Sequence, residues 1–365
     1  MAIKVNKIGS ITVLFLFWCL TLYGQSEIFV SPSMQVLEPD QISGIVDEFD
    51  LFDDAYPVRL SISADFKALI KNKKSDDPRP AGLSYFLNDS IFVNSQMQIN
   101  PRGNFRRNYC ALPPLKLNMK KKEYLLGGNK ELDKIKLVSV CRNNKSNQQY
   151  IYKEKLVYKL YNLMTEYSFD TRTIHLSFVD SSEKVKPDST YAFFIEPVDG
   201  LTERVDAIEI ETKISNQDLT DYDHMNMLAV FQFMIGNLDW SVAGLHNIKL
   251  IKLKSIENVR PIAVPYDFDF CGLVNTSYAD PPPSIEIDNV RVRVFRGFRR
   301  TPEQMEATFD LFRAKKDAIF ATIQDDTFLS DATKKDVSNY ISDFFDIIES
   351  DYSVEQYFFR GARTE

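Results

Sequence analysis

Histidine is scarce in this 365-residue chain: His175, His224 and His246 are all it has. Cysteine is nearly as rare, with Cys19, Cys110, Cys141 and Cys271 and neither a Cys-x-x-Cys pair nor a His/Cys cluster. A zinc site or a Ser-His-Asp triad is therefore poorly supported. The 13 glycines form no Gly-rich loop of the kind that cradles phosphates. Positive charge is in deficit, with 44 Lys and Arg against 51 Asp and Glu, a net −7 that argues against bulk nucleic-acid binding. No internal repeat is visible. Beyond the N-terminal region no apolar run is long enough to span a bilayer.

What is present is an ordinary globular composition, 44% hydrophobic and 26% charged, which excludes fibrous and wholly disordered classes. The length suggests two lobes or domains. Lys4 and Lys7 precede an apolar run from Ile8 to Tyr23, and Gly24-Gln25 follows. That is an export-signal pattern over 1–24, predicting a periplasmic, cell-surface or secreted protein. A retained anchor is the alternative. Cys19 sits within the apolar run behind bulky residues, so a lipoprotein signal fits less well. Residues 25–56 read as an acidic leader. After export Cys110 and Cys141 could pair in an oxidising compartment, or all three remaining cysteines could stay separate buried thiols.

From Pro57 the pattern is β. Segments 58–62, 96–100 and 115–119 alternate apolar with polar, 90–93 is a short β-prone run, and 134–140 reads as one more strand. A helical stripe follows over 151–164, then strands at 174–179 and 191–195. Further on, Met225 to Ile235 is apolar almost all round and predicts a buried helix. Two short strands are expected at 247–253 and 259–266. Thr301-Pro302-Glu303-Gln304 opens a helix with a capping box, and 331–350 forms a last amphipathic helix. The expected organisation is a β-rich N-lobe over 57–200 and a helical C-lobe over 201–365.

Chemistry concentrates where the buried helix ends. A polar loop presents Asp239, His246 and Asn247, and the end of the next strand pair presents Asp267 and Asp269. Phosphoryl transfer could use such a set, one carboxylate orienting the attacking hydroxyl while an Asn and a further carboxylate hold Mg²⁺. Each residue also has a plainer reading. His246 could simply hold the loop, Asp267 and Asp269 could line a solvated strand face, and Lys116 could be an exposed lysine between Leu115 and Leu117. Arg102, Arg106 and Arg107 form a basic cluster and Arg291, Arg293, Arg296, Arg299 and Arg300 a second; either could receive phosphate or an acidic partner, and the second reads more readily as a solvated face with local ion pairs.

The segment Gly236-Asn237-Leu238-Asp239, the following His246-Asn247 and Pro265-Tyr266-Asp267-Phe268-Asp269 resemble, in order, the motifs of the CotH-type spore-coat protein kinases. Arg102-Gly103-Asn104 and the strand bearing Lys116 are similar to further motifs of that family, and the resemblance runs with gaps from about Arg102 to Leu273. It implies an α+β, protein-kinase-like fold with ATP and Mg²⁺ as cofactors. In that case Asp239 is the catalytic-loop acid, and Asn247, Asp267 and Asp269 are the metal ligands. Lys116 and Arg102 contact the nucleotide, with Glu196, or else Glu154, as the partner of Lys116. The implied function is phosphorylation of a protein or cell-surface acceptor outside the cytoplasm. An inactive binding or assembly protein of the cell envelope is the alternative, and a metal-dependent phosphoesterase using the same carboxylates is a third.

Overall fold

The computed structural model describes residues 35–37, 51–54, 57–88, 91–123, 132–142, 144–255 and 260–364. The expected export signal over 1–24 and most of the acidic leader lie outside these residues.

The N-terminal half builds one sheet from β1 (Gln35–Leu37), β2 (Val58–Ala64), β3 (Arg79–Asn88), β4 (Ile91–Pro101), β5 (Leu115–Glu123), β6 (Leu132–Val138), β7 (Thr171–Asp180) and β8 (Asp188–Ile195). Its order is β1-β4-β3-β2-β7-β8-β6-β5, and β5 pairs back to β4. Seven strands therefore close on themselves, and β1 lies alongside β4 in parallel. Every neighbouring pair in the ring is antiparallel except β2 with β7. This corrects the kinase-like expectation: the strands make a closed, mixed barrel rather than the open N-lobe sheet of a protein kinase. The physical reason is pairing. β4 is long enough to pair with β3 over Arg79–Asn88 and with β5 at its far end, where Met97 to Pro101 face Met119 to Leu115.

Alternation fills the barrel. Leu60 and Ile62, Leu83 and Tyr85, Met97 and Ile99, Leu115 and Leu117, Ile135 and Leu137, and Leu176 with Ala192 and Phe194 are all buried in one apolar cluster. The other face of β8 turns Phe193 and Ile195 into a second, larger cluster formed with the helices. Two short helices, α1 (Phe66–Lys71) and α2 (Phe105–Tyr109), decorate the barrel, and α3 (Lys145–Asn162) packs on its outside. Because α3 lies between barrel and helices it is buried nearly all round, including the charged Lys153, Glu154 and Lys155.

The C-terminal half begins with α4 (Val198–Arg204) and β9 (Ala207–Ile210), then α5 (Tyr222–Met234), β10 (Ile248–Leu253) and β11 (Ile262–Pro265). The three strands form a separate antiparallel sheet in the order β11-β10-β9. Asp221 caps α5 by accepting a hydrogen bond from the His224 amide, and Met225 to Met234 are all buried. Next come α6 (Pro302–Asp325), α7 (Asp331–Ile348) and α8 (Asp351–Val354). The Thr301–Gln304 capping box forms at the start of α6 with Pro302 in its first turn. Among the described residues no helix is long and apolar enough to cross a membrane.

Candidate functional site

The loop between α5 and β10 is folded onto itself. Ser241 and His246 exchange both backbone hydrogen bonds at 2.9 Å, and the Trp240 indole donates to the Asn237 carbonyl at 3.1 Å. This turn brings Asp239 back against the start of β10. There His246 Nε2 lies 2.7 Å from Asp239 Oδ1, and the Asn247 amide donates to Asp239 Oδ2 at 3.0 Å and to its carbonyl at 2.8 Å. His246 is exposed, so it holds Asp239 from the solvent side. Asn247 spends its side-chain hydrogens on Asp239, which leaves the amide oxygen as its remaining group.

Register places the second acid. Ile248 pairs with Pro265, and the Tyr266 amide donates to the Asn247 carbonyl at 3.0 Å, so Asn247 and Asp267 flank the same end of the β10–β11 hairpin. Both have left-handed backbones, at φ 52° and 64°. Such strain at two non-glycine residues in one site is of a kind that collects where function holds it. The Asp267 amide accepts its fix from α3, donating to the Tyr158 hydroxyl at 2.9 Å.

Asp267 faces cations from the barrel. Lys116 of β5 and Lys136 of β6 are direct cross-strand partners, and Arg102 follows β4, its amide bonded to the Pro114 carbonyl at 2.8 Å. Burial pushes Lys136 down to about 8; the nearby Arg102 charge adds to this, and Asp267 opposes it. The Lys136 ammonium also lies 4.4 Å from the centre of the Tyr266 ring. Lys116, Lys136, Lys249, Glu196 and Tyr266 border one cavity of about 210 Å³ between barrel and hairpin.

Behind Asp267 lies a buried charged cluster. Arg106 of α2 sits 3.6 Å from Glu154 of α3 and 3.8 Å from Asp269, all three buried. Asp269 also accepts a hydrogen bond from the Tyr278 hydroxyl at 2.9 Å. Burial, then the Asp267 charge, pushes Asp269 up to about 7, against the pull of Arg106. Burial and the charge of Asp269 raise Glu154 well above the ordinary carboxylate range. One guanidinium thus serves two carboxylates. A disulfide between Cys110 and Cys141 ties the end of α2 to the segment after β6 and so braces Arg106, whose guanidinium also donates to the Ser139 carbonyl beside it.

The structure thus brings Asp239, Asn247, Asp267, Arg102 and Lys116 to one region. Asp269 is beside them but buried and already bonded. Glu196 is engaged elsewhere: it accepts from Arg204 at 2.8 Å and from the Asp170 amide at 3.1 Å. Glu154 goes to Arg106, so neither acid expected to partner Lys116 does so. Sequence reasoning passed over Lys136, Tyr278 and the role of Arg106. Lys136 alternates with Ile135 and Leu137 just as Lys116 does with its neighbours, but only the β5–β6 register puts the two side by side.

On its other side Asp239 borders a groove of about 390 Å³ walled by Phe105, Phe270, Tyr278 and Pro281–Pro283. The Phe105 ring packs on Phe270 and Tyr278 at 5.3 and 5.6 Å. Among the described residues no three His, Cys, Asp or Glu side chains stand close enough to hold a metal ion unaided. The oxygen donors Asp267 and Asn247 nonetheless fit Mg²⁺, which is usually held by one or two protein carboxylates with substrate phosphates and waters completing its shell. No protein-family model matches the chain, and no curated protein matches it.

Proposed function

We propose that this protein transfers a phosphoryl group from a nucleotide such as ATP to a hydroxyl of a protein or cell-surface acceptor, as its resemblance to CotH-type proteins implies. The observation that carries the reading is the position of Asp267. It stands between a cationic wall of Arg102, Lys116 and Lys136 and the hydrogen-bonded Asp239–Asn247 pair. Phosphoryl transfer needs that opposition, with cations for the phosphate oxygens and acids for the acceptor and the metal.

In this reading Lys136 and Arg102 hold the phosphates, with Lys116 at the rim. Asp267 and the Asn247 amide oxygen would hold Mg²⁺, which when bound neutralises phosphate charge. Asp239, its orientation fixed by His246 and Asn247, accepts the acceptor hydroxyl's proton as that oxygen bonds to phosphorus and the bond to the diphosphate leaving group breaks. The acceptor enters along the aromatic groove that Asp239 borders. Arg106, Glu154 and Asp269 hold the floor in place. The Cys110–Cys141 disulfide suits an oxidising compartment, which supports action outside the cytoplasm.

Incubation with γ-labelled ATP, Mg²⁺ and an extract of cell-envelope proteins tests this directly. Label should move to an acceptor with wild type and fall by roughly a thousandfold or more with Asp239→Asn. Equal labelling by the two proteins would overturn the assignment of Asp239. Free phosphate with no labelled acceptor would indicate hydrolysis instead.

A further inference from the structure

A second pocket is bordered by the residues that follow Asp239 and shares no lining residue with the cavity of the cationic wall. It is small, about 70 Å³, and is bordered by Ser215, Asn216, Gln217, Ser241, Arg296 and Arg363. Its amide and guanidinium groups converge from three parts of the chain. Gln217 begins the 3-10 turn Gln217–Leu219 ahead of α5. Arg296 lies in the segment before α6, and Arg363 lies near the C-terminus. The last two are held together by backbone: the Arg363 amide donates to the Gly297 carbonyl at 3.0 Å, and the Arg299 amide donates to the Arg363 carbonyl at 2.9 Å.

Three observations ask for an anion there. Gln217 is 96% buried and its side-chain nitrogen has no hydrogen-bond partner, an unfavourable state for a buried donor. Arg296 is held by one Nη1, which donates to the Leu238 carbonyl and, at 3.0 Å, to the Trp240 carbonyl on either side of Asp239; its other N–H groups remain for a ligand. Burial, then the like charge of Arg363, lowers the Arg296 guanidinium, and Asp239 only partly opposes them. An anion between the two guanidiniums would relieve their repulsion, and a small shift of the Gln217 side chain would bring the orphaned amide to it. Donors arriving from three segments rather than in one plane suit a tetrahedral oxyanion better than a planar carboxylate.

We propose that this pocket binds a phosphate-type oxyanion, either free or as a phosphomonoester, at a site separate from the Lys136 wall. The binding does not depend on the phosphotransfer reaction proposed above.

Calorimetric titration of the protein with sodium phosphate, in a buffer free of oxyanions, tests it. Phosphate and sulfate should bind, and Arg363→Glu should weaken them by roughly tenfold or more by replacing an attractive charge with a repulsive one. Arg363 is exposed, so that variant should melt like wild type. Gln217→Leu should also weaken binding at this site, and any phosphate bound at the Lys136 wall should be lost in Lys136→Met while the Arg363-dependent binding persists. Tighter binding of a blocked phosphoserine than of phosphate would identify a chain-borne phosphomonoester as the ligand, and equal binding would identify the free anion. The proposal is overturned if no binding is seen at about 20 mM phosphate. It is also overturned if Lys136→Met rather than Arg363→Glu removes binding, or if acetate binds as tightly as phosphate.

Discussion

Removing the Arg106 guanidinium would leave Glu154 and Asp269 buried without a counter-charge. Breaking a buried charge cluster in this way costs about 3–5 kcal/mol. Arg106→Met should therefore lower the denaturation midpoint sharply at about pH 8 and less at about pH 5, because both acids can take up protons as the pH falls. Burial pushes Asp269 up to about 7 in the folded chain from an ordinary 3.8, so its own contribution to stability grows as pH falls through that window. A cost independent of pH, read from urea titrations at both values, would contradict this electrostatic account. Lys136 carries the matching claim for the ligand. Lys136→Met should weaken ATP binding by roughly tenfold or more and Lys116→Met by less, as calorimetry would show, since Lys136 is the more deeply enclosed of the pair. His224 gives an acid limit. Its ring lies 2.9 Å from the Ala263 carbonyl and 3.2 Å from the Tyr161 hydroxyl, and burial pushes it down to about 4. The unfolded chain binds that proton first, near the ordinary 6.5. The stability contributed by neutral His224 is thus complete above 6.5, declines as pH falls, and is gone below 4. The contribution is about 3 kcal/mol, and a stability profile measured across that window should flatten in His224→Asn.

At the scale of elements, α2 is the weakest piece of the site and the most heavily braced. It has five residues and no side-chain cap, yet it supplies Arg106 to the floor and Phe105 to the groove. The disulfide from Cys110 to Cys141 closes a loop with a sequence separation of 31, for which about 3–4 kcal/mol of stabilisation is expected. The Cys110→Ser/Cys141→Ser double variant should melt lower and lose ATP affinity together, by thermal shift with and without ligand. Unchanged affinity in a still-folded variant would show that α2 holds its place without the bridge. The cysteine count left this pairing open, since sequence spacing alone cannot show that two chain segments meet. The capping box at Thr301 and the all-apolar α5 could be read directly, because both are set by near neighbours in the chain. The Asp239–Asn247 pair could also be read as a motif, but the left-handed backbones at Asn247 and Asp267 could not.

For the whole molecule, the strands were legible one at a time and their closure was not. Alternation marks which face of Leu115 to Met119 or Leu132 to Val138 turns inward, but it says nothing of which strand lies beside which. Ring closure depends on β4 meeting both β3 and β5 and on the parallel β2–β7 pair, which are long-range choices. The same choices bring Lys136 beside Lys116 and lead Arg106 to Glu154 rather than leaving Glu154 to Lys116. The site is thus a junction, with cations supplied by the barrel, acids by the hairpin and loop, and a floor by α3. Titration of ATP into the protein with and without Mg²⁺, for wild type and Asp267→Ala, tests that junction most directly. The account predicts a Mg²⁺-dependent rise in melting temperature with wild type that disappears in Asp267→Ala. No rise up to millimolar ATP in a well-folded wild-type protein would contradict it.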